Sequence, residues 1–186
     1  MGSLRGCVVR TGKGGSRSAF ASLIAVPLLA LAGCGESEEQ RREYPLPESL
    51  CGVSIDTDLV DSFMPPGKRI QQTENEAGLI VWTCEVSVDG KDVFRISHDN
   101  WEPGWSTRRF AVRHAYVKPV HEAADKSYVY SENGAVATVR CTDQGGDRDL
   151  FLVAKANENT AGAKGMEKFI VAYRDEFLKS DPCTDL

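Results

Sequence analysis

An apolar run that follows four cations and stops at a cysteine decides which part of this chain can enter a fold. Arg5, Arg10, Lys13 and Arg17 are the only charged side chains before residue 34. From Ala19 to Leu31, 13 residues are apolar apart from Ser22 and Pro27. A basic segment followed by an apolar segment of this length is the order of a secretory signal peptide. It is too short to cross a bilayer as a helix, which takes about 20 residues, so a polytopic membrane protein is excluded. Gly12, Gly14 and Gly15 ahead of the run, and the polar stretch after it, argue against a cytosolic core helix.

The run ends in Leu31-Ala32-Gly33-Cys34. This tetrapeptide, placed directly after an apolar segment, resembles the lipobox of bacterial lipoproteins. The resemblance implies a diacylglycerol on the Cys34 thiol, cleavage between Gly33 and Cys34, and acylation of the new amino terminus. Two or more acyl chains hold a protein that one chain alone would release. No Arg-Arg pair precedes the run, since Arg41-Arg42 lies beyond Cys34. The general secretory route is therefore expected over the twin-arginine route. The expected location is the extracytoplasmic face of the cell membrane, with the lipid as the membrane contact.

Loss of residues 1–33 leaves 18 basic against 27 acidic side chains, a charge of −9. Such a chain is repelled by anionic headgroups, so the lipid acts as a leash and not as part of a basic docking face. The same balance, without any block of Lys or Arg, argues against a nucleic-acid partner. Residues 34–49 are polar and proline-bearing and read as a lipidated flexible spacer. Residues 50–186 are left as a single domain.

Within that domain Ile55 to Val60 reads as a helix start capped by Asp56, with Leu59, Val60 and Phe63 on one face and Pro65-Pro66-Gly67 beyond it. Leu79 to Val88 alternates Trp82, Cys84, Val86 and Val88 against polar residues, as a strand does. Asp89-Gly90 is a hairpin turn and Asp92 to Ser97 the return strand. Trp101 to Trp105 reads as a loop, and Ser106 to Tyr116 as a helix with Phe110 and Ala111 inward. Ser127–Ser131 and Ala135–Cys141 form a second hairpin around Asn133-Gly134, and Leu150–Ala156 another strand. Met166, Phe169, Ile170, Tyr173 and Phe177 follow helical spacing. The expected fold is α+β: an antiparallel sheet with the C-terminal amphipathic helix packed on one face.

Little in the chain carries chemistry. His121-Glu122-Ala123-Ala124-Asp125 lacks the second histidine of a zinc-peptidase helix, and Pro119 crowds the helix that motif needs. His98, Asp99 and Glu102 read as the polar end of a strand. Asp143, Asp147 and Asp149 surround a glycine-bearing turn that needs no ion. There is no nucleophile elbow and no phosphate loop after Cys34. No catalytic residue, metal or cofactor is expected. Trp101 and Trp105 flank Pro103-Gly104, and two indoles on one loop are the candidate ligand-binding residues.

Cys51, Cys84, Cys141 and Cys183 remain once Cys7 and Cys34 are set aside. An even number in an exported domain argues for two disulfides, with three possible connectivities. Cys51–Cys84 with Cys141–Cys183 is the arrangement that ties each terminal segment to the sheet. The whole layout resembles small actinobacterial lipoproteins of unknown function, which implies no activity and no binding residue. The expected function is a non-enzymatic lipid-anchored envelope protein with a ligand, protein or cell-wall partner. The alternatives are an envelope hydrolase built around His98 or His121, and an extracellular sensor acting on a membrane partner.

Overall fold

The structure is a computed structural model that describes residues 41–77, 81–143, 146–180 and 182–183. Seven strands form one antiparallel sheet: β3 (Ile70–Ala77), β4 (Val81–Val88), β5 (Lys91–Trp101), β6 (His121–Glu122), β7 (Tyr128–Tyr130), β8 (Gly134–Asp143) and β9 (Gly146–Ala156). Their order across the sheet is β3-β4-β5-β9-β8-β7-β6. Asp89 and Gly90, at φ 51° and 78°, make the tight turn between β4 and β5. A bulge at Val93 shifts the register, so Val93 and Phe94 are both buried.

Period-two alternation then assigns each side chain to a face. Cys84 and Val86 of β4, Ile96 of β5, Leu152 and Ala154 of β9, and Ala135 and Ala137 of β8 enter the larger core. That face is covered by α3 (Gly162–Phe177), which buries Met166, Phe169, Ile170, Tyr173 and Phe177. The C-terminal helix thus packs on one face of an antiparallel sheet, an α+β fold. Phe63, Phe94 and Phe169 meet at 5.0–5.3 Å between ring centroids in its centre. Val129, Val136, Phe151 and Val153 point the other way, under α2 (Thr107–Arg113). Phe110 of α2 lies flat on Phe151 of β9, 3.9 Å between centroids and 2° between planes. Ser106 caps α2 by accepting from the Arg109 N–H.

Two short elements precede the sheet. β1 (Ser49–Leu50) pairs with β2 (Val53–Ser54), and α1 (Thr57–Val60), capped by Asp56, buries Val60. A tight helical turn over Asp61–Phe63 follows and buries Phe63.

Two expectations need correction, and one strand was not expected. The spacer does not run to residue 49. Tyr44 is buried in the larger core and its hydroxyl donates to the Pro65 carbonyl at 2.5 Å. Arg42 donates to the Asp61 carboxylate and to the Met64 carbonyl. An aromatic ring and a guanidinium with waiting acceptors dock a segment whose composition alone reads as solvated. β3 has no counterpart in the sequence reading, because Gln71 to Glu76 are exposed on both faces of an edge strand and carry no alternation. The return strand runs to Trp101, so that residue ends β5 and does not sit on a loop.

Disulfides join Cys51 to Cys84 and Cys141 to Cys183, with Cα atoms 5.7 and 5.3 Å apart. The first fastens the β1–β2 turn to β4, and the second fastens the end of the chain to β8.

Candidate functional site

α2 lies over β7, β8 and β9 and leaves the β3-β4-β5 half of its face open. The strand register lays out what that half presents. Arg95 opposes Glu85 on one side and Lys155 on the other. Ser97 stands between Thr83 and Val153, and Asp99 between Val81 and Phe151. The wall of α2 and the residues after it, His114, Ala115 and Tyr116, close the far side. The result is a groove of about 360 Å³ with a polar floor and an aromatic rim formed by Trp101 and Tyr116.

Burial has altered the groups on this floor. Asp99 is half-buried, and desolvation pushes its carboxyl up to about 6 against the opposing pulls of Ser97 and Lys155. Its Oδ1 is shielded from solvent and has no hydrogen-bond partner among the described residues, and the same holds for the His114 Nε2. Native interiors rarely leave such atoms unpaired. The Lys155 ammonium is held below its ordinary range, first by burial and then by Arg95. Tyr116 sits at φ 52° and is 80% exposed, and Lys155 Nζ is 6.0 Å from its ring centroid. A bulky residue in the left-handed region is strained, and strain of that kind gathers at binding sites.

The residues singled out in the sequence scatter. Trp101 borders the groove, 4.4 Å from the His114 ring and 5.6 Å from Phe110. Trp105 meets Trp101 edge-on at 6.0 Å, carries the Arg109 guanidinium 4.0 Å above its face, and packs on the smaller core. The two indoles therefore do not present one free surface. Gly104, between them at φ 100°, donates its N–H to the buried Asp149 at 3.1 Å. Asp147 accepts from Thr142 at 2.9 Å, while the side chain of Asp143 lies outside the described set.

His98 is not at a strand end. It lies mid-strand on the α3 face, stacked 4.5 Å from Trp82, with Phe177 4.4 Å away and the Tyr173 hydroxyl 3.2 Å from its Nε2. Burial lowers its imidazole to about 4 and raises the Tyr173 hydroxyl. His121 is exposed on the outer edge strand β6, stacked on Tyr130, and three strands separate it from β5. Glu122 pairs with Arg108 at 3.2 Å, and Asp125 accepts from the Ser127 N–H. Among the described residues no three His, Cys, Asp or Glu side chains converge as metal ligands. None of the described helices is long and apolar enough to cross a membrane. Cys34 lies outside the described residues.

Arg95, His114, Tyr116 and Lys155 have no place among the sequence candidates. The available signal is the alternation Arg95, Ser97, Asp99, Trp101, a strand face that stays polar until it ends in an indole. Lys155 stands among apolar neighbours and joins that set only through the β5–β9 register. No family model, curated protein or solved structure matches this chain.

Proposed function

We propose that this is a non-enzymatic envelope protein, held by lipid on Cys34 at the outer face of the cell membrane, that binds a ligand or partner in the groove beside α2. The observation that carries the binding reading is the groove itself, where Arg95, Asp99 and Lys155 share one floor below the rings of Trp101 and Tyr116. A groove with few convergent polar groups and an aromatic rim is the usual form of a small-ligand site. The lipid reading rests on Leu31-Ala32-Gly33-Cys34 after its apolar run. The hydrolase alternative loses support from the positions of His98 and His121, one enclosed by aromatic rings and the other separated from it by three strands.

Two measurements test the proposal. Cys34→Ala should accumulate as an unprocessed precursor and lose labelling by a fatty-acid analogue; unchanged labelling refutes the anchor. Native mass spectrometry of the full chain from detergent-solubilised membranes should show a non-covalent adduct that Asp99→Ala removes. A bare chain mass in every preparation argues against a bound small molecule.

A further inference from the structure

We infer that the groove takes an anionic sugar, a sugar acid or a sugar phosphate, with its charged group between Arg95 and Lys155 and its hydroxyls donating to Asp99. This deepens the binding reading above and rests on it.

The register puts Arg95 and Lys155 directly opposite each other on neighbouring strands. Like charges in that position destabilise a sheet. Arg95 has Glu85 as an ion-pair partner; Lys155 makes no ion pair within 4 Å among the described residues and feels Asp99 only at longer range. One anion lying between the guanidinium and the ammonium relieves their repulsion and gains charge-assisted hydrogen bonds from both.

Asp99 decides what else the ligand must carry. Its carboxyl is half-buried on the groove floor with Ser97 as a hydrogen-bonding neighbour, and its Oδ1 has no partner among the described residues. A bare anion beside it meets repulsion. A ligand whose anionic group is flanked by hydroxyls offers donors to the Asp99 carboxylate instead of a second negative charge. Ser97 and Thr83 add hydroxyls to the same floor. The exposed Tyr116 ring, with the edge of Trp101, gives apolar surface for a pyranose to lie against. The volume, about 360 Å³, lies at the small end of ligand sites and suits a monosaccharide.

Calorimetry on the full chain from detergent-solubilised membranes tests this with four probes: D-glucuronate, D-glucose 6-phosphate, D-glucose and inorganic phosphate. At least one anionic sugar should bind about tenfold more tightly than glucose and than phosphate. Binding of glucuronate alone assigns a sugar acid, and of glucose 6-phosphate alone a sugar phosphate. Lys155→Gln and Arg95→Gln should each weaken the binding about tenfold, and Asp99→Ala should bring the anionic sugar to parity with inorganic phosphate. Without ligand, Lys155→Gln should melt no lower than the parent chain, because it removes one of two opposed cations. Failure of both anionic sugars to bind, or binding that survives Lys155→Gln, overturns the inference. If a native adduct persists while neither sugar binds, this inference fails and the binding reading stands. If no adduct and no binding are found, both fail.

Discussion

His98 and Asp99 are neighbours on β5 that point to opposite faces, and burial moves their protons in opposite directions. The imidazole titrates near 6.5 when unfolded and at about 4 when folded. The unfolded chain therefore takes up that proton first as pH falls. His98 contributes stability that is complete above 6.5 and is lost between 6.5 and 4, about 3 kcal/mol in all. Asp99 has the reverse sign, since its carboxyl titrates near 3.8 unfolded and at about 6 folded. The folded chain takes up that proton first, so stability rises as pH falls from 6 to 3.8. The two effects offset one another over the same range. Asp99→Asn should expose the His98 contribution: its melting temperature should fall more steeply between pH 6.5 and 4 than that of the parent chain. Equal slopes would show that the two groups do not oppose each other.

At the scale of elements, α2 is a seven-residue helix whose closest aromatic contact with the sheet is one stacked ring pair. Phe110 and Phe151 are both fully enclosed. Phe110→Ala removes a buried ring from a small core and should cost about 3–5 kcal/mol by chemical denaturation. Because His114 and Tyr116 follow α2, the same variant should also weaken groove binding; stability lost without any change in binding would separate the helix from the groove. The segment around Tyr44 makes a parallel case. Its ring joins the larger core and its backbone lies against the turn after α1, where the Glu43 N–H donates to the Gly67 carbonyl at 2.8 Å. Tyr44→Ala should destabilise the domain by about 3 kcal/mol or more. An unchanged melting temperature would restore residues 42–49 to the spacer. The first and last helices were legible in the sequence because a cap or a long apolar period marks them. The edge strand β3 was not, because a strand exposed on both faces is polar throughout and its pairing comes only from β4.

For the whole molecule the two disulfides close loops of 33 and 42 residues, each worth about 4 kcal/mol in the chain-entropy account. Together they approach the net stability of a small domain. Reduction should lower the melting temperature by well over ten degrees, roughly 4–8 °C for each kcal/mol lost in a domain of about 100 residues. Cys141→Ser with Cys183→Ser should free the chain end from β8 while leaving the Cys51–Cys84 crosslink intact in non-reducing peptide mapping. A crosslinked peptide joining Cys51 to Cys141 would contradict the pairing.

By itself the sequence determined what is local. Alternation marked β4, a short apolar run marked β9, helical spacing marked α3, and the small residues at a hairpin tip marked the turn at Asp89-Gly90. Each signal lies within about a dozen consecutive residues and needs no partner to be read. It set the cysteine number without choosing among three pairings, because a pairing depends on which strands come to lie together. The groove is of the same kind. Arg95, Asp99, His114 and Lys155 are separated by up to 60 positions and meet through the β5–β9 register and the placement of α2. A like-charge pair across two strands leaves no mark on either strand alone, so only the tertiary structure could bring it together.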